Sequence, residues 1–176
     1  LYCVGGYSGR LRDLILLFKY EQLRPLAKPL GEFLRRGYPR EAQFDLLVPM
    51  PLHWRRRRER GFNQAELLAE ELAPLSGLPI VGAVRRVRNT PRQAGLTGKQ
   101  RRANVKGAFV VPKPAQVSGK RVLLVDDVLT TGASANSCAQ ALKEAGASTV
   151  AILALARADR RFGAGPEAAQ ALLQFV

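Results

Sequence analysis

The stretch from Arg121 to Ser134 constrains this chain more than any other. Val122-Leu123-Leu124-Val125 is a short continuous apolar run, the pattern of a strand covered on both faces in a parallel sheet. Asp126 and Asp127 follow at its C-terminal end, the edge at which open α/β sheets bind ligands. Thr130-Thr131-Gly132-Ala133-Ser134 then makes a small, hydroxyl-rich turn into a helix. The apolar positions of that helix, Ala135, Cys138, Ala139 and Leu142, fall on one stripe.

The chemistry of the turn points to a phosphate. Backbone N–H groups at a helix N-terminus lack partners and carry the positive end of the helix dipole. The hydroxyls of Thr130, Thr131 and Ser134 add donors, and Gly132 lets backbone approach a bulky anion. The turn is not a Walker A loop, because G-x-x-x-x-G-K-[ST] is absent. Paired aspartates just before it suit the vicinal hydroxyls of a sugar, so a phosphorylated ribose would satisfy both halves. The plainer alternative is a strand–turn–helix whose hydroxyls cap the helix and whose aspartates are solvated.

Val122 to Ser134 resembles the phosphoribosyl-pyrophosphate (PRPP) motif of type I phosphoribosyltransferases: apolar strand, two acids, two apolar residues, then T-T-G-x-S. Other blocks narrow the resemblance to the ComF family of competence-associated proteins and its GntX-like relatives. They are Phe18-Lys19-Tyr20, Val48 to His53, Arg58-Glu59-Arg60-Gly61-Phe62-Asn63-Gln64 and Arg101 to Phe109. Matching blocks run from about Tyr7 to Arg157. The resemblance implies one domain over 1–176 with an α/β, type I phosphoribosyltransferase fold: a mostly parallel sheet flanked by helices, with a small hood region. Residues 1–40 would form the helical hood part, 41–160 the PRPP-binding core and 161–176 a tail.

Site residues follow from the same resemblance. Asp126 and Asp127 would hold the ribose and compensate an oxocarbenium-like transition state, making them the catalytic candidates. Leu129, Thr130, Thr131, Gly132, Ala133 and Ser134 would anchor the 5′-phosphate. Pro51, Leu52, His53, Arg55 and Lys19 would take the pyrophosphate, with Mg²⁺ as the cofactor arriving on PRPP and no metal held by the protein alone. Gln93, Arg101 and Asn104 fall in or beside a long polar stretch that would be a mobile loop closing over the reactants, a basic arm for nucleic acid, or both. Four successive arginines, Arg55–Arg58, cannot all face one site, so Arg56 and Arg57 are expected to be solvated in a Pro-rich loop. His53 either touches ligand or packs beside Trp54.

Charge adds a second theme. The 176 residues carry 28 Lys and Arg against 14 Asp and Glu, a net +14. From Leu72 to Val125 there is no acid at all. Arg85, Arg86, Arg88, Arg92, Arg102 and Lys106 lie there and are the candidates for nucleic-acid contact, single-stranded DNA in particular. An Arg-rich solvated surface is the alternative. Three readings stay open: a phosphoribosyltransferase of unknown acceptor, active for example in nucleotide or base salvage; a DNA-uptake factor using the pocket to sense PRPP; and a nucleic-acid module with a vestigial pocket. The resemblance also implies uptake-machinery partners such as a competence helicase.

Cys3 and Cys138 give no disulfide framework, which fits a reducing, cytoplasmic setting. Relatives in the ComF family carry a four-cysteine zinc ribbon ahead of this region; Cys3 alone cannot build one, so no zinc is expected. No apolar run approaches the ~20 residues of a membrane span. Along the chain, Gly5 to Gly9 reads as a flexible opening, followed by helices from about Ser8 to Lys19 and from Leu26 to Arg36. Phe44–Val48, Phe109–Val111 and Thr149–Ala156 read as strands, and Leu78–Val87 as a strand or strand pair. A helix begins near Asn63, with Ala65, Leu68, Ala69 and Leu72 inward. A short tail helix from Pro166 completes the reading.

Overall fold

The computed structural model describes residues 1–88 and 107–158. Strand β1 (Tyr2–Gly6) leads to helices α1 (Gly9–Tyr20) and α2 (Ala27–Arg36), then β2 (Leu46–Pro49), α3 (Trp54–Arg60) and α4 (Gln64–Ser76). A two-residue strand β3 (Arg85–Arg86) pairs antiparallel with β4 (Phe109–Val110). The chain then forms β5 (Arg121–Leu129), α5 (Ala133–Glu144) and β6 (Thr149–Arg157). The main sheet has the order β1-β6-β5-β2, and each neighbouring pair is parallel.

Parallel neighbours need crossovers, and here the crossovers cover both faces of the sheet. Alternation along β5 assigns the faces. Leu123 and Val125 pack with α1, α2 and α4 through Ile15, Phe18, Leu30, Leu34 and Leu68. Val122 and Leu124 pack with α5 through Ala135, Cys138 and Leu142. Neither face sees water there, so β5 is apolar from Val122 to Val125, as expected of such a strand. At its start Arg121 clamps Asp45 in bidentate fashion, Nη2 to Oδ1 at 2.7 Å and Nε to Oδ2 at 3.2 Å. That contact holds Asp45 near a pKa of about 2 through hydrogen bonds from Arg121. It fixes the register of the segment entering β2.

The parallel α/β architecture agrees with the expectation, and four local readings change. Gly5 and Gly6 are not a flexible opening: β1 runs beside β6, with Gly5 opposite Ala156. A Cβ on Gly5 would stand 2.9 Å from Leu11 Cδ2, so glycine there lets α1 lie close on the strand. The arginine run is not a loop but helix α3, since Arg is a good helix former. His53 caps it, Nδ1 accepting from the Arg55 N–H at 3.4 Å, and Gly61 ends it at φ +75°. Leu78–Val87 is mostly irregular, because Pro79 and Gly82 interrupt it; a parallel bridge of Ile80 to Leu47 and the short β3 are what remain. Finally, β5 continues through both aspartates to Leu129 rather than ending before them. The stretch 89–106 and the tail from 159 onward, with its expected helix, lie outside the described residues.

Candidate functional site

Helices α4 and α5 lie on opposite sides of the sheet, and both begin at the C-terminal edge of the strands. Asn63 ties the start of α4 to the end of β2. Its Oδ1 accepts from the Ala65 N–H at 3.1 Å, capping the helix, while its Nδ2 donates to the Met50 carbonyl at 3.0 Å. On the other side, Gly132 at φ +72° turns the chain from β5 into α5, a backbone state that glycine adopts without strain. Between the two helix starts lies a cleft of about 540 Å³, within the usual size of small-molecule sites.

Consecutive residues of a strand project to opposite faces. Asp127 therefore faces α1, where its Oδ1 meets Lys19 Nζ at 2.8 Å with both side chains nearly buried. Asp126 faces the other way, toward Arg86 and α5. Asp126 keeps part of its surface open to the cleft, yet enough protein surrounds its carboxyl for burial to dominate its titration. Burial first, then the neighbouring Asp127 charge, push its pKa up to about 7, against the pull of Lys19 and Arg86. Arg86 is half-buried, its guanidinium over the Phe109 ring at 5.4 Å. Burial and then Arg56 draw its pKa down to about 10, while Asp126 opposes them.

The structure gathers many of the expected residues and separates others. Lys19, Pro51, Leu52, Asp126 and Asp127 line the cleft, as do Leu129, Thr130, Gly132, Ala133 and Ser134. Thr131 is exposed and lies outside the lining. His53 and Arg55 do not line it either: His53 is buried in its capping role, and Arg55 sits over the Trp54 ring at 5.3 Å. Burial, then Arg55, Arg86 and Arg56, lower the His53 pKa. Arg56, expected to be solvated, lines the cleft instead. Arg85 and Arg88 are exposed, whereas Arg86, grouped with them by its charge, turns into the cleft. Gln93, Arg101, Asn104, Arg92, Arg102 and Lys106 lie outside the described residues.

Sequence reasoning missed several lining groups. Arg56 and Arg60 share one helical turn of α3, a spacing visible only once the run is read as helix. Tyr20 ends α1 beneath the Arg60 guanidinium, 5.5 Å from ring centre to Cζ. Arg60 Nη1 donates to Gln64 Oε1 at 3.0 Å, which leaves the buried Gln64 Nε2 as a donor without an acceptor among the described residues. Chemically the cleft offers two helix N-termini, several guanidinium groups and two adjacent carboxyl groups on opposite faces of one strand. Such a set suits a polyhydroxylated ligand with an anion at each end.

Residues 59–171 match the phosphoribosyl transferase domain family. The chain is 35% identical over 163 residues to competence protein F of Haemophilus influenzae, covering 88% of this chain and 71% of that protein. It is 40% identical over 167 residues to the DNA utilization protein YhgH of Salmonella typhi, covering 89% and 71%. Among solved structures, a phosphoribosyltransferase from Corynebacterium diphtheriae aligns with a TM-score of 0.48 at 21% identity, over 88% of this chain and 74% of that one.

Proposed function

The chain belongs to the phosphoribosyl transferase domain family, among the relatives of competence protein F, and on that premise we propose that it binds PRPP in this cleft and serves DNA uptake or utilization. The observation that carries the PRPP reading is the meeting of Asp126, Asp127 and the Thr130–Ser134 turn in one cleft with a second helix N-terminus opposite. The turn and the start of α5 would take the 5′-phosphate through backbone N–H groups and the Thr130 and Ser134 hydroxyls. The carboxylates would take the ribose hydroxyls. Arg56, Arg86 and the start of α4 would take the diphosphate, with Lys19 held to Asp127 beside it. The diphosphate oxygens are the hard donors that Mg²⁺ takes, so the ion would arrive on the ligand still carrying several waters and neutralise its charge, with the carboxyls of Asp126 and Asp127 as the nearby protein oxygens.

If the ribosyl group is transferred, pyrophosphate leaves the anomeric carbon as the acceptor's lone pair arrives there. The protein's part is then positioning and charge stabilisation. The DNA-directed role rests on the competence and DNA-utilization relatives and on the net +14. Calorimetric titration of PRPP with Mg²⁺ tests the pocket on wild type, Thr130→Ala and Ser134→Ala. Saturable binding weakened by both substitutions is expected. Heat-free titration with no thermal stabilisation of the wild type would refute the reading.

A further inference from the structure

Helix α3 has two unlike faces. Arg56 and Arg60 look into the cleft, whereas Trp54, Arg55, Arg57 and Arg58 are exposed. Trp54 is the single tryptophan of the chain, and 61% of its surface is open. An indole left this open beside guanidinium groups presents a large, flat π-surface to solvent within a cationic setting. It is not loose: the Arg55 guanidinium lies over its ring at 5.3 Å, and the His53 ring sits 5.6 Å away, tilted by 38°. Arg57 is held by Glu66 at 2.7 Å, which leaves Arg55 and Arg58 as the outward charges flanking the ring.

We propose that the outer face of α3 is a docking platform for single-stranded nucleic acid, a base stacking on Trp54 and its flanking phosphates meeting Arg55 and Arg58. This rests on the DNA-directed reading above and gives it a place. Stacking platforms ringed by cations are how proteins hold single strands without reading sequence. A duplex cannot use the ring in this way, since its bases are already stacked on one another. One exposed aromatic on a seven-residue helix is too little apolar surface for a membrane. The partner class therefore follows from a π-face beside guanidinium groups.

The lone tryptophan is also the reporter. Oligothymidylate added to the full chain at low salt should quench Trp54 fluorescence saturably, and anisotropy of a labelled strand should report the same affinity. Trp54→Ala should weaken anisotropy-detected binding roughly 5- to 150-fold, the span that one base–aromatic stack represents. Trp54→Phe, which preserves a ring, should restore most of it. Arg55→Ala with Arg58→Ala should reduce the salt slope by about 1.4. Strand binding with unquenched fluorescence and unchanged affinity in Trp54→Ala would overturn the platform while sparing DNA binding elsewhere. No anisotropy change for the wild type at low salt would overturn both. Equal quenching by polyglutamate would overturn the nucleic-acid assignment in favour of an acidic polypeptide.

Discussion

Replacing Asp126 by Asn should stabilise the ligand-free protein at alkaline pH. The carboxyl is raised from 3.8 to about 7, chiefly by burial. Between those values the folded chain holds a proton that the unfolded chain has released. Folding stability therefore falls as pH rises through that window, and the loss is complete above the folded pKa. At about 1.36 kcal/mol per pKa unit, the ceiling on this loss is about 4 kcal/mol. Relaxation around the charge would bring the realised loss to about 2 kcal/mol, within the 1–3 kcal/mol typical of an unsatisfied buried polar group. Asn carries no charge and nearly the same shape, so Asp126→Asn escapes the penalty. For a chain of this size, about 2 kcal/mol corresponds to a gain in Tm of about 4–8 °C at pH 8. Near pH 4 both proteins present a neutral side chain, and the difference should vanish. Calorimetric melts of both proteins from pH 4 to pH 8, without ligand, measure it directly. A variant less stable than wild type at pH 8, or a difference independent of pH, would mean that Arg86 and Lys19 already compensate the charge. The same substitution should weaken PRPP binding. Stability and function would then pull in opposite directions at one atom pair.

Two further outcomes follow from the geometry. Lys19→Met strands the nearly buried Asp127 beside Asp126 and should cost about 3 kcal/mol in urea unfolding, while adding Asp127→Leu to it should recover most of that loss. Asn63→Ala removes a helix cap and the donor to the Met50 carbonyl together, so it should cost about 2 kcal/mol by the same assay and loosen the α4 side of the cleft.

The central strand, its turn and helix α5 were legible because each is specified locally. A doubly covered strand must be apolar on both faces, and a glycine between hydroxyl residues marks the turn. Expected boundaries there differ from the structure mainly in how far β5 extends. That extension is what sends Asp126 and Asp127 to opposite faces, a consequence that adjacency in the sequence conceals. The cationic wall was harder to read. Arg56 and Arg86 belong by composition to charged runs, and only the turn of α3 and the short β3–β4 pairing turn them inward. Gln64 was visible as part of a matching block, but its hydrogen bond to Arg60 depends on how α3 meets α4. Strand β1 was missed because Gly5 and Gly6 mimic a flexible segment when the partner strand, far away in sequence, is left out.

That distant partner has a kinetic consequence during synthesis. Strand β1 is made well before β6, its partner among the described residues, Tyr2 lying opposite Leu153. At ribosomal speeds of roughly 5–20 residues per second, β1 waits about 8–30 s for its neighbour to be made. The Lys19–Asp127 contact waits nearly as long. Helices α1 and α2 can form early, but the cleft they help to wall closes only when the second half of the chain arrives. Contacts of such long range slow folding. A chain arrested before β6 would expose the edge of β5, and a holdase acting on the nascent chain would find its target there.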